Sequence, residues 1–214
     1  YRVSVDNLYP YNIYGGQQDY PSLRVASKEL GSRGISSASV QNSAGGESAF
    51  LAFDPDNPSQ VMGGSYLGTI NLLNVDARAN TKVMPAPIQY LGRDARDMKY
   101  LYNWNAPIIK SQHESNTFYH GAQMLLRTKD NGVTWKEASP DLTRNIDAKQ
   151  GKGGAPYTNE VVGAENYGTL AYVIESPHES GVIWTGSDDG YVQVTKDNGV
   201  TWTNVTPNGL KECL

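Results

Sequence analysis

Between residues 169 and 205 the chain passes through four short apolar bursts, each closed by small or polar residues. The first two, residues 169–175 and 182–186, are dense in apolar and small side chains, as in strands covered on both faces. The third, 191–196, alternates Val192 and Val194 with Gln193 and Thr195, as in a strand with one face nearer solvent. The fourth, 200–205, follows Asp197, Asn198 and Gly199, and Asn and Gly both tolerate the positive φ of a tight hairpin. Polar turns at 176–180 and 187–190 separate the other strands. The pattern predicts a four-stranded antiparallel meander. No segment carries a sustained helical period, and residues 91–100 suit at most one short helical turn.

The unit repeats. Thr195-Lys196-Asp197-Asn198-Gly199-Val200-Thr201-Trp202 recurs letter for letter as Thr128-Lys129-Asp130-Asn131-Gly132-Val133-Thr134-Trp135. Residues 111–119 match 176–184 at an offset of 65, which grows to 67 at the two octapeptides; the longer turn at 186–190 takes up the difference. Weaker copies of the same plan lie at 3–16 and 50–64. A four-stranded meander repeated at this spacing predicts an all-β fold, a β-propeller of four-stranded antiparallel blades. About four blades are present, at roughly 1–43, 46–100, 103–142 and 164–207, with a polar, Gly- and Lys-rich interblade loop at 143–160. The first blade is poorly defined in its outer part. The second lacks the octapeptide, and residues 74–87 are expected to form a long outer loop.

Local chemistry gives the octapeptide a structural role. Asp130 and Asp197 can accept bonds from amides of their own turn and from the hydroxyls of Thr128 and Thr195. Gly132 and Gly199 supply the turn, and Trp135 and Trp202 return to the sheet and pack against the neighbouring unit.

Composition narrows the classes. Fourteen Tyr and four Trp beside three Phe, with 22 Gly and 11 Pro, suit a turn-rich β-protein. A net charge of −4 without a basic stripe argues against nucleic acid as a partner. No apolar run approaches the roughly 18 residues of a membrane-spanning helix. The one cysteine, Cys213, excludes an internal disulfide, and three scattered histidines exclude a zinc site. A chain that opens inside a strand pattern at Tyr1 reads as a piece of a longer protein, whose remaining blades, or a partner chain, complete the propeller.

The octapeptide fits the pattern Ser/Thr-x-Asp-x-Gly-x-Thr-Trp and resembles the Asp-box, or BNR repeat. Asp-boxes mark the propellers of sialidases, sortilin-like proteins, the photosystem II assembly factor group and xyloglucanase-like glycoside hydrolases. The surrounding sequence is similar to long secreted bacterial proteins of the sortilin-like and glycosyl-hydrolase-like kind. The segments that carry the resemblance, 11–19, 104–142 and 163–207, cover over half the chain. It implies a secreted or periplasmic location. It implies either a recognition or scaffold module for glycan, peptide or protein, or a glycoside hydrolase. A sialidase of this class would need three clustered arginines, and only Arg93, Arg96 and Arg144 lie in interblade connections, so that activity is disfavoured.

Strand order sorts the remaining polar residues. In a propeller meander the first turn and the octapeptide corner share one face, which takes His113 and His178 along with both corner aspartates. The opposite face collects Gln17, Gln18, Asp19, Tyr66, Gln123, Asp188 and Asp189, and the entrances to inner strands add Glu47, Trp104, Asn105, Glu165 and Tyr167. Amides and carboxylates for hydroxyls, with rings for sugar faces, suit a glycan or peptide. Glu47, Glu165 and Asp188 are the candidate carboxylates for hydrolysis, which requires two flanking one cleft. The same groups can instead bind backbone amides and hold blades together. Asp188-Asp189-Gly190 reads as a tight turn; a Ca²⁺ site there needs further oxygen ligands from elsewhere, and no cofactor is expected.

Overall fold

Each four-burst unit folds into one four-stranded antiparallel sheet in the computed structural model, which describes residues 1–29, 31, 34–48, 50–86, 94–151 and 166–209. The first sheet is β1 (Val3–Val5), β2 (Asn12–Gly15), β3 (Leu23–Ala26) and β4 (Val40–Asn42). The second is β5 (Leu51–Asp54), β6 (Asn57–Gly64), β7 (Ile70–Asn74) and β8 (Ala79–Lys82). The third is β9 (Ile108–Lys110), β10 (Phe118–Gly121), β11 (Leu125–Thr128) and β12 (Lys136–Glu137). The fourth is β13 (Leu170–Glu175), β14 (Ile183–Ser187), β15 (Val192–Thr195) and β16 (Thr203–Asn204). Every strand pairs only with its sequence neighbours, so each sheet is a simple meander and the protein is an arc of β-propeller blades.

Blade packing repeats in register. Tyr14, Met62, Tyr119 and Trp184 occupy one position of the second strand, opposite Ser4, Ala52, Ile109 and Ile174 of the first. The first three point at the next blade. Tyr14 packs with Leu51, Phe53 and Val61, Met62 with Ile108 and Phe118, and Tyr119 with Leu170, Val173 and Ile183. Each fully buried side chain of this size contributes about 1.5–3 kcal/mol. Trp184 has no following blade in this chain and stays 42% exposed, as does Ile174 at 46%.

The two octapeptide corners have one geometry. Asn131 and Asn198 take φ of 56° and 61°, and the glycines after them 88° and 92°. Asp130 Oδ1 accepts the Thr134 amide at 2.8 Å and the Thr128 hydroxyl at 2.7 Å, while Thr134 Oγ1 donates to Oδ2 at 2.6 Å. Asp197 repeats these bonds with Thr201 and Thr195. The Thr134 hydroxyl, then the Thr134 amide, hold the Asp130 carboxyl down to about 2, and Thr201 does the same for Asp197. Each tryptophan then reaches back to the preceding blade: Trp135 Nε1 donates to Val83 O at 2.6 Å and Trp202 Nε1 to Ala138 O at 3.3 Å.

Within the expected long loop at 74–87, the described residues 74–86 depart from it. Asn74 Oδ1 accepts the Ala77 amide at 2.9 Å, Arg78 turns at φ 52°, and β8 pairs back along β7. The reversal is a tight turn without the octapeptide. Of the short helical turn expected within 91–100, a 3-10 turn forms at Ala95–Asp97; residues 87–93 lie outside the described residues. His120, in β10, is buried; its Nδ1 lies 3.0 Å from Pro107 O, and burial pushes it down to about 4, so it stays neutral.

Candidate functional site

The face opposite the corners gathers the turns after each second strand and the entrances to each first strand. At its centre Tyr66 and Trp104 stack, with ring centroids 5.2 Å apart and planes 8° from parallel. Trp104 Nε1 donates to Tyr1 Oη at 3.2 Å, and Tyr1 Oη donates to Gln18 Oε1. These contacts join the third blade's entrance to the first blade. The Arg2 guanidinium lies over the rings of Phe50 at 4.6 Å and Tyr172 at 5.5 Å, tying the first, second and fourth blades.

Beside the stack is an open cleft of about 420 Å³ whose walls include Asp19, Tyr20, Glu47, Ser65 and Tyr66. No lysine or arginine lines it, so it is acidic. Asp19 sits at φ 62°, and its amide donates to Glu47 Oε2 at 2.7 Å. The Gln17 carbonyl accepts the Tyr20 amide at 3.0 Å, closing the turn that carries Gln18 and Asp19. Gln17, Gln18, Asp19 and Tyr20 are exposed, while Glu47 and Trp104 are half-buried.

A second group on this face is closed. Asp188 accepts the amides of Gly168 and Thr169 at 3.1 and 2.9 Å and the Thr169 hydroxyl at 2.9 Å. Burial raises its carboxyl above the usual range against the pull of those bonds. Thr169 Oγ1 also accepts Asn103 Nδ2 at 3.2 Å. Asp189 is fully buried; Oδ2 accepts the Arg144 amide at 2.7 Å and Oδ1 accepts the Ser187 hydroxyl. Gln123 is buried, with Oε1 on the Leu101 amide and Nε2 donating to Lys99 O. Tyr167 is buried under Lys149. The Asn105 amide donates to Asn103 Oδ1 at 3.1 Å, and Asn105 Oδ1 is buried without a partner.

The structure therefore brings Gln18, Asp19, Glu47, Tyr66 and Trp104 together around an open surface. It sets Asp188, Asp189, Gln123 and Tyr167 in the packing between blades. Glu165 lies outside the described residues. Among the described residues no group of three His, Cys, Asp or Glu is placed to hold a metal ion, and the Asp188 and Asp189 carboxylates serve the turn. Sequence reasoning missed Tyr1, Arg2 and Tyr20. Tyrosine abundance was the only trace of Tyr1 and Tyr20, and nothing local says that residue 1 reaches residue 104.

A cavity of about 680 Å³ lies elsewhere, along β1, β5 and β9 toward the corner face. Its acids are engaged: Asp54 accepts the Asp56 amide at 3.0 Å, Asp56 accepts Asn7 Nδ2 at 2.8 Å, and Glu114 pairs with Lys129 at 2.8 Å. It is the gap between inner strands and has less to offer a ligand than the aromatic cleft.

No protein-family model and no curated protein matches the chain. Solved structures do. The Xanthomonas campestris GH74 xyloglucanase aligns over 94% of this chain and 29% of its own, at 16% identity and a TM-score of 0.57. The Niastella koreensis GH74 enzyme aligns over 92% of this chain and 28% of its own, at 14% identity and a TM-score of 0.52. The chain thus spans less than a third of either enzyme, and the likeness is one of fold. No helix among the described residues is long and apolar enough to cross a membrane.

Proposed function

We propose that the chain is a glycan-recognition segment of a secreted or periplasmic Asp-box propeller. The Tyr66–Trp104 stack, held by Tyr1 and Gln18, carries this reading. Flat rings suit the C–H faces of a sugar, and they are rigid enough to lose little freedom on binding. The exposed side chain of Gln17, the Gln18 amide nitrogen and the carboxylates of Asp19 and Glu47 are placed to meet hydroxyls beside them. The likeness to a GH74 xyloglucanase makes xyloglucan the first polysaccharide to test. The exposed sheet faces of the first and fourth blades receive further blades, from elsewhere in the same protein or from a partner chain.

Hydrolysis by this segment has less support. Asp188 is engaged with three donors, and among the described residues the carboxylate that lines the cleft beside Glu47 is Asp19, whose own amide already binds Glu47.

The test is titration of the chain with xyloglucan and other neutral β-glucans, beside Trp104→Ala and Tyr66→Ala variants checked for folding. Each substitution is expected to weaken binding about tenfold, the cost of losing one stacking platform. Folded variants that bind as tightly as the parent would sink the proposal. Release of reducing ends by the parent chain would turn it toward the hydrolase.

A further inference from the structure

The slot that each corner tryptophan fills can be located in all three blade-to-blade interfaces. In the second and third blades, the residue after the last strand hydrogen-bonds back to the start of the third strand: Val83 N to Ile70 O at 3.0 Å, and Ala138 N to Leu125 O at 2.7 Å. Those same residues accept the indoles of Trp135 and Trp202. In the first blade Ser43 holds this place, with its amide on Ser22 O at 2.8 Å. The second blade has no corner tryptophan to send there. Its tight turn brings Val75 and Arg78 instead.

What stands in that slot is a pocket of about 390 Å³. The bland outcome of losing a tryptophan is an apolar gap. Here only one wall is apolar, made by Val61, Leu73 and Val75 of the second blade. The facing wall is the row Tyr14, Arg24 and Gln41, which are cross-strand neighbours in the first blade. Arg24 Nη2 donates to Gln41 Oε1 and the guanidinium also faces the Tyr14 hydroxyl, which aligns it and leaves the rest of its five N–H groups for another acceptor. Arg78 enters from the opposite blade. Neither arginine forms an ion pair among the described residues, and no carboxylate lines the pocket. Tyr14 offers no charge either, since its hydroxyl donates to Asp6 Oδ2 at 2.9 Å. Ser43 lines the same pocket, and its Oγ is buried without a hydrogen-bond partner.

We infer that this slot is a binding site for a sugar-sized molecule bearing a carboxylate, sulfate or phosphate. Two guanidinium groups meet the oxyanion from the two blades, the Ser43 hydroxyl donates a third contact, and the apolar wall takes the body of the ligand. The buried Ser43 hydroxyl lacks a partner, a cost that an oxyanion would relieve, and two guanidinium groups without an ion pair among the described residues would meet that oxyanion with charge-assisted hydrogen bonds. The site lies between the outer strands of the first and second blades and is separate from the aromatic cleft.

Calorimetric titration of the full chain with glucuronate, glucose 6-sulfate, glucose 6-phosphate and glucose tests this. At least one of the three anions binds saturably and glucose does not; which anion binds identifies the oxyanion. Arg24→Gln and Arg78→Gln each weaken that binding about tenfold or more, and Trp104→Ala leaves it unchanged. Arg78 is exposed on a turn, so its variant keeps the fold and decides the matter even if Arg24→Gln, half-buried, does not fold. Absence of saturable binding for all three anions, equal binding of glucose, or parent-like binding by the folded arginine variants overturns the assignment.

Discussion

At the scale of single residues, the corner aspartates carry the sharpest consequence. Asp130 and Asp197 are held at about 2, against 3.8 for an unrestrained aspartate, chiefly by the hydroxyls of Thr134 and Thr201. A carboxyl depressed in the folded state contributes stability that is fully present above the unfolded value. That stability is lost as pH falls from about 4 toward 2, where the unfolded chain binds protons before the folded one does. Acid unfolding should therefore steepen in that window. Asp197→Asn should flatten the slope, and Asp197→Ala should lower Tm at neutral pH by about 2–4 °C, as expected for lost turn hydrogen bonds in a domain of this size. Thermal melts between pH 2 and 7 measure both. Because the corners lie opposite the aromatic cleft, the same variants should keep any glycan affinity of the parent. A folded Asp197→Ala chain with unchanged stability but lost binding would contradict that placement.

At the scale of the element, the corner is a wedge as well as a turn. Gly199 sits at φ 92°, and a Cβ there would fall on the Ala138 carbonyl oxygen of the preceding blade; at Gly132 it would come within 2.8 Å of Val83 Cβ. Gly199→Ala thus combines left-handed strain with a backbone clash and should destabilise by about 2–4 kcal/mol. At Gly186, within β14, an added Cβ would meet no atom within 4 Å and φ is not positive, so Gly186→Ala should fall within about 0.5 kcal/mol of the parent. Chemical denaturation of both variants compares them directly, and equal midpoints would refute the wedge. This element was legible in the sequence because everything that makes it is local: the Asp, Asn and Gly turn, the paired threonines, and the tryptophan at fixed spacing. The reversal at residues 75–78 was not legible, since Asn74 and a left-handed Arg78 make it without a glycine. Half the candidate site was legible for the same reason. Strand order put Gln18, Asp19, Glu47, Tyr66 and Trp104 on one face. Burial of Gln123 and Asp189, and the reach of Tyr1, depend on how blades close against each other, which no single segment encodes.

At the scale of the whole molecule, the repeated register leaves one interface divided between the two ends of the arc. Inside the arc, the position of Tyr14, Met62 and Tyr119 in each second strand is covered by the next blade. Trp184 and Ile174 hold that position in the fourth blade and are 42% and 46% exposed. The receiving position, held by Val61, Phe118 and Ile183 inside the arc, falls to Ile13 in the first blade, where Val3 and Val5 beside it are 73% and 51% exposed. An isolated chain thus offers a donor face and an acceptor face of one and the same interface, and a contact between such unlike faces is head to tail rather than two-fold. The chain should associate as its concentration rises, and sedimentation velocity should resolve dimers and larger species. Trp184→Glu and Val3→Glu replace exposed side chains, so each should leave the fold intact while blocking growth. Mixed in equal amounts, the two variants should pair through their remaining intact faces, Ile13 and Val5 of one against Ile174 and Trp184 of the other, and stop at a dimer. A parent chain that stays monomeric at every concentration, or variants that fail to pair when mixed, would refute the divided interface.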